Sequence, residues 1–315
     1  MRRVRINSRQ LPLLTTAGIA LLLYGLAGLR FRHLNWFSGK MIADLFVENG
    51  VVGIVAIGMT FVILAGGIDL SVGSTVAFVG VLTAKLLGSG WSPAAVIGLC
   101  LALGVVLGVS QGWLVAAFEL PPFLVTLGGM FLMRGCALLV CDSAQPIDHA
   151  WYRHLAQLTP RPTALLFAVV FLVALWLLHY TPFGRCVYAV GGGEQSALLM
   201  GLPVGRTKVG VYAVSSLCAA LAGVAATLYF LSGDSTHAVG MELDAIAAVV
   251  IGGTLLTGGV GYVAGTVIGV IILGLIQTAI NFANINSWWT RIGIGLLLLV
   301  FILLQRSIQQ RAERR

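Results

Sequence analysis

Apolar residues run along the chain in long unbroken blocks, among them 11–29, 50–65, 94–117, 165–178 and 292–304. Each approaches the roughly 20 residues that cross a bilayer as a helix. A helix satisfies its own backbone groups in lipid, whereas a transmembrane barrel needs alternating polar and apolar residues, and these blocks do not alternate. Counting blocks and the Gly, Pro or polar breaks between them predicts about ten helices, at 11–29, 47–65, 71–88, 93–117, 122–141, 163–180, 209–231, 243–257, 262–281 and 288–305. The fold class expected is an all-α polytopic membrane protein. An even number of spans puts both termini on one side, leaving a tail at 1–10, a membrane domain at 11–305 with an interior loop at 181–208, and a tail at 306–315.

Charge supports that layout. Basic residues gather in the tails (Arg2, Arg3, Arg5, Arg9; Arg306, Arg311, Arg314, Arg315) and in the interior loop (Arg185, Arg206, Lys208). The opposite side holds Arg30, Arg32, Lys40, Lys85, Arg153 and Arg161. Eleven against six is a modest positive-inside bias, and it places both tails in the cytoplasm. The first apolar run lacks a small-residue cleavage site and is long enough to span, so it reads as an uncleaved helix.

Composition excludes a soluble fold. Of 315 residues, 58% are hydrophobic and 10% charged, and the mean hydropathy is +0.98. The net charge of +8 forms no stripe interleaved with aromatics, so it sets orientation and does not mark a nucleic-acid surface. Cys100, Cys136, Cys141, Cys186 and Cys218 lack CxxC or Cys/His spacing, which points to packing and to no metal site.

Several polar islands interrupt the apolar blocks. At 65–73, Asp69 and Ser71 stand among Gly66, Gly67 and Gly73. They read either as a broken-helix turn that lines or gates a pathway, or as a tight turn with Asp69 capping the next helix. Glu242 and Asp244 open another apolar stretch, as first-turn carboxylates or as a proton relay. Arg134 lies within an apolar block and must snorkel, pair or face a cavity. Gln277, Asn281, Asn284 and Trp288 combine amides with an indole, suited to contacting a sugar or to anchoring at the interface. Small residues at Gly108 and Gly112, and at Gly261, Gly265 and Gly269, have the spacing of close helix contacts. Gly66-Gly67 and Gly258-Gly259 sit in similar surroundings, as an internal repeat or by chance. No GxxxxGK[ST], HExxH or GxSxG occurs, so neither nucleotide cradling nor intramembrane hydrolysis has a motif to support it.

Taken in order, the runs GMTFVILAGGIDLSVGS (58–74), PPFLVTLGGM (121–130) with Arg134-Gly135, TPFGR (181–185) with YAVGG (188–192), and ELDAIAAVVIGGT (242–254) resemble the permeases of ribose and galactofuranose type sugar ABC importers. QPIDH at 145–149 and SWWT at 287–290 look most like the galactofuranose permease, which pairs with a second, different permease. The resemblance implies an inner-membrane subunit without enzymatic activity or a cofactor of its own. Its partners would be a second permease in a heterodimer, with a homodimer left open, a separate ATPase that binds ATP and Mg, and a periplasmic sugar-binding protein. It also implies a coupling helix that docks on the ATPase, and Glu194, Gln195, Ser196, Ala197, Leu198, Leu199, Met200 and Gly201 have the acidic start, apolar middle and terminal glycine of one, with Arg185 nearby. Gly193 departs from the asparagine more usual in relatives, a change expected to loosen the approach to that helix. The competing readings are a nucleoside or branched-chain amino acid permease, an ion-coupled secondary transporter using Asp69 or Asp244, and a scaffold.

Overall fold

The computed structural model describes residues 11–32, 35–158, 161–286 and 288–313. The basic residues of the 1–10 tail, Ser287, Arg314 and Arg315 lie outside them, as do the side chains of Thr290, Arg306 and Arg311.

The described residues are predominantly helical. In chain order the elements are α1 (Leu11–Arg30), α2 (Gly39–Glu48), α3 (Gly50–Leu64), α4 (Val72–Gly88), α5 (Pro93–Ala117), α6 (Pro122–Val140), β1 (Gln145–Pro146), α7 (Ala150–Ala156), α8 (Pro162–Tyr180), α9 (Pro182–Gly192), α10 (Glu194–Leu199), α11 (Val204–Phe230), β2 (Ser232–Gly233), α12 (Met241–Ile251), α13 (Val263–Phe282) and α14 (Trp288–Glu313). Proline opens α5, α6 and α8, where its missing N–H costs no helical bond. Helices α5, α6, α8, α11 and α13 are long and apolar enough to cross a membrane, and α2 with α3 makes a sixth candidate, bent by 57°. The bend falls at Asn49 and Gly50, and Ser38 caps α2 by accepting the Met41 N–H.

Every apolar block expected to be helical holds a helix, with four differences of extent: the helix expected at 209–231 begins at Val204, the one expected at 288–305 runs to Glu313 through most of the expected 306–315 tail, and two others differ as follows. The span expected at 47–65 begins earlier, as the bent α2–α3 pair. The span expected at 243–257 stops at Ile251, because a glycine-rich turn follows in which Gly253, Gly258 and Gly259 all take positive φ. Helix α12 is therefore short, and a stretch of turns leads into it from β2. Along that stretch Gly233 packs on Gly80 and Ala84 of α4, and the Ala238 carbonyl packs on Gly73.

Helix α3 is the axis of the core, with every residue except Val52 buried. Helix α11 packs against α3, α4 and α5. Its contact with α5 is a glycine seam: Gly104 meets Ser216 and Ala220, Gly108 meets Tyr212 and Ala213, and Gly112 meets Lys208 and Val209. The small-residue spacing of α5 is thus a backbone-to-backbone contact, as the sequence suggests, while Gly98 has nothing against it. Gly269 makes a similar approach to Ala248 between α13 and α12.

Helix α1 is fastened at two levels. The Thr16 hydroxyl donates to the Ile251 carbonyl at 3.0 Å, and near the other end the stacked rings of Phe31 and Trp36 both meet Phe282 of α13 edge-on. The Trp36 indole N–H is spent on the Tyr24 carbonyl at 3.1 Å.

A side chain at Gly108 would strike α11 main chain, which has no rotamer to move. Gly108→Val is expected to destabilise the protein by about 1–3 kcal/mol, the usual cost of overpacking. Thermal melting in detergent checks this against Gly98→Val, expected to melt as wild type.

Candidate functional site

A cavity of about 610 Å³ opens where the ends of α3, α5 and α11 meet α10. Gly66 and Gly67 form one wall, Glu119 and the two prolines after Leu120 another, and Glu194, Gln195 and Leu198 of α10 a third. Lys208 of α11 donates to Glu194 at 2.6 Å and ties α10 to α11 across one side. Gly66 needs its positive φ of 83° to turn the chain here, and the turn stacks on a second one: Gly259 N–H donates to the Leu64 carbonyl at 2.9 Å, with Gly258 against Gly66. The two glycine pairs that look alike in sequence therefore meet in space.

Behind the cavity wall lies Asp69, fully buried. Its Oδ1 accepts the Ser71 backbone N–H at 2.9 Å and the Ser71 hydroxyl at 2.7 Å, and its Oδ2 accepts the Ser215 hydroxyl of α11 at 2.8 Å. The N-cap of α4 is Ser71, so Asp69 does not cap the helix itself; it ties the α3–α4 turn to α11. Ser71 Oγ also lies 3.2 Å from the Gln111 side-chain amide. A hydroxyl has one hydrogen, here given to the carboxylate, so the contact is satisfied with the amide reversed and its N–H donating to Ser71. From α6, the Thr126 hydroxyl lies 3.0 Å from the Pro122 carbonyl of its own helix and 3.2 Å from the Ile68 carbonyl, on the other flank of the same turn.

In the first turn of α4, Gly73 lies against the Glu242 carboxylate and the Ala238 carbonyl. Arg134 of α6 donates through Nη1 to the carbonyls of Ser235 at 2.6 Å and His237 at 3.0 Å, fixing the stretch that feeds α12. Glu242 acts on the Arg134 charge, and Arg291 of α14 acts on Asp244. Arg134 thus pairs with carbonyls and does not snorkel. Gln277, Asn281, Asn284 and Trp288 are exposed near the α13–α14 turn and are not brought to Asp69, while Trp288 packs under the Arg291 guanidinium at 5.4 Å.

In the segment expected to couple, Ala197 is fully buried, whereas Leu198, Leu199 and Met200 are 57%, 90% and 67% exposed. Gln195 and Ser196 face outward with them, Gly201 ends the helix at φ 74°, and Arg185 is exposed on the preceding α9. Gly193 has extended backbone open to any residue and only Ser196 nearby, so its departure from asparagine is not imposed by space. Among the described residues no three His, Cys, Asp or Glu side chains cluster as metal ligands.

Comparison with known proteins gives these positions a common setting. Residues 41–302 match the family described as the permease component of the branched-chain amino acid transport system. The chain belongs to this permease family. The permease is 45% identical to the inner membrane ABC transporter permease protein YjfF of Escherichia coli K12, over 98% of this chain and 95% of the relative. It is 40% identical to the fructose import permease FruG of Bifidobacterium longum, over 85% of this chain and 83% of that one. It is also 40% identical to the ribose import permease RbsC of Bacillus subtilis, over 84% of each. No solved structure matches it.

Ser215, Gln111, Tyr212 and Thr126 are the contributors the sequence reading missed. Their signal was present as polar side chains inside apolar blocks, but nothing in one sequence says which of many such residues share a site.

Removing the Asp69 carboxylate orphans two buried hydroxyls and an N–H, each costing about 1–3 kcal/mol when unpaired. Asp69→Ala is expected to lower the melting midpoint well below that of Ser215→Ala, which removes one donor and leaves the carboxylate its other bonds. Paired thermal melts read the order.

Proposed function

We propose that this permease is the membrane-spanning subunit of an ATP-driven, binding-protein-dependent importer of a monosaccharide in the bacterial inner membrane. Identity of 40% to a fructose and a ribose import permease over 84–85% of the chain, and of 45% to an inner membrane ABC transporter permease over 98% of it, carries the reading. The chain performs no covalent chemistry. ATP and Mg are bound by a partner ATPase, and a periplasmic binding protein delivers the sugar.

In this reading ten segments cross the membrane, with α2 and α3 as one crossing and α4, α12 and α14 among them, and both termini face the cytoplasm. The α10 face of Leu198, Leu199 and Met200 is the apolar surface that enters the ATPase groove, and burial of such side chains in a partner supplies the docking energy. Closure of the ATPase displaces α10. The Glu194–Lys208 pair passes that displacement to α11, and Ser215 on α11 passes it to Asp69 and the α3–α4 turn. Gly66, Gly67, Asp69, Ser71 and Gly73 are then the gating segment, and Arg134, Glu242 and Asp244 lie on the outer part of the same column.

The sugar is of the ribose or galactofuranose kind, and the partner permease is a second, different chain, as the QPIDH and SWWT segments suggest. A branched-chain amino acid substrate is favoured only by the description of the family. Uptake of ribose, fructose and galactose against leucine by the reconstituted assembly separates the two.

Purification in mild detergent is expected to recover the permease with an ATPase and a second permease. Leu199→Glu with Met200→Glu changes only exposed side chains, and should reduce the co-purifying ATPase about tenfold or more, the loss expected when charge replaces an apolar contact worth over 1.4 kcal/mol. Recovery of this chain alone, transporting in liposomes without ATP, would overturn the proposal and favour ion-coupled transport.

A further inference from the structure

The 610 Å³ cavity beside α10 belongs to a single permease chain, and the coupling route from α10 to Asp69 leaves its interior unused. Tyr212 lines it, 2% exposed, and its hydroxyl is buried against Gly67 with no hydrogen-bond partner. A buried hydroxyl left unpaired is costly unless something visits it. The Glu194 charge is already neutralised by Lys208, while Glu119 has no ion-pair partner among the described residues, so the cavity carries one uncompensated negative charge. That disfavours an anion. A single free carboxylate is too few ligands for a metal ion. Val62, Val115 and Val211 supply apolar walls, Glu119 and Gln195 supply separated polar groups, and the unpaired Tyr212 hydroxyl lies directly behind the wall at Gly67. Apolar walls with a few convergent polar groups suit a neutral polyhydroxylated ring, whose C–H faces and hydroxyls need both.

We infer that this cavity is an inner monosaccharide site, and that its occupation from the cytoplasmic side holds α10 in place and slows the next transport cycle. The inference rests on the reading of the chain as a sugar-importer permease. Because α10 forms one wall, any displacement of it reshapes the cavity. An occupant that fits the resting shape therefore biases the equilibrium against displacement, by its difference in affinity for the two shapes. The importer is in this way sensitive to sugar already delivered.

The test uses the complete assembly in proteoliposomes with ATP inside and binding protein outside, and D-ribose, D-fructose and D-galactose as probes. Absence of ATP-driven uptake for all three defeats the proposed function, and this inference with it. Where uptake is found, the ratio of initial rates into empty and sugar-preloaded vesicles is the readout, which normalises any change in coupling. Preloading with the transported sugar is expected to slow wild type about fivefold, at the low end of measured couplings between sites. Glu119→Gln and Gln195→Ala, on exposed side chains of different elements, and Tyr212→Phe should bring the ratio back towards one. No slowing in wild type, or equal slowing in wild type and all three variants, overturns the inference while leaving the importer reading intact. For a variant that no longer turns over, saturable binding of the labelled sugar to the nanodisc-held assembly without binding protein separates the same two outcomes: affinity equal to wild type overturns the inference, and weakened binding supports it.

Discussion

In a hydrocarbon solvent, backbone that leaves a helix finds no water to bond, so each break must be satisfied by the protein itself. The two glycine turns of this permease meet that constraint against one another. Gly259 N–H answers the last carbonyl of α3, while Gly258 and Gly191 approach so closely that a side chain at either would collide with main chain. Asp69 completes the arrangement by accepting a backbone N–H and two hydroxyls at the other end of the first turn. Without these contacts the breaks would be the weakest points of the fold; with them, three separate stretches of chain share one joint.

Helix α11 links that joint to the molecule's exposed face. Its glycine-matched contact with α5 makes it a stiff rod, which is what the proposed coupling requires between Lys208 and Ser215, about two turns on. Polar side chains that would be expensive in lipid, among them Tyr212, Ser215 and Ser216, are buried on the inward side of this rod, where Ser215 is spent on Asp69. Arg134 of α6 donates to carbonyls of the turns that lead into α12, outside any helix.

Much of this architecture was readable from the sequence because a lipid environment leaves few choices: apolar blocks of the right length become helices, and Pro and Gly mark where they begin and end. The boundaries of α5 emerged as expected, since Pro93 starts it and the polar Glu119 follows it closely. The short α12 did not, because Gly252 and Gly253 look from sequence like tolerable glycines inside an apolar run, and only the packing of Gly252 on Gly265 reveals a turn. Asp69 was legible as an exception that needed a partner, but Ser215 lies 146 positions away, and no local pattern connects them. The four residues 277, 281, 284 and 288 share chemistry suited to sugar contact without sharing a pocket, which composition alone could not decide.

The fastening of α1 has a consequence for how the protein is made. Helix α1 is made before its partners: Ile251 follows Thr16 by 235 positions, and the Phe282 end of α13 comes later still. Until then its apolar face rests against lipid or the insertion machinery, and the aromatic clasp around Trp36 stays open. Native closure is therefore a late, long-range event, and a nascent chain interrupted before α13 leaves the membrane with a loose first helix, a mark by which quality control could recognise it.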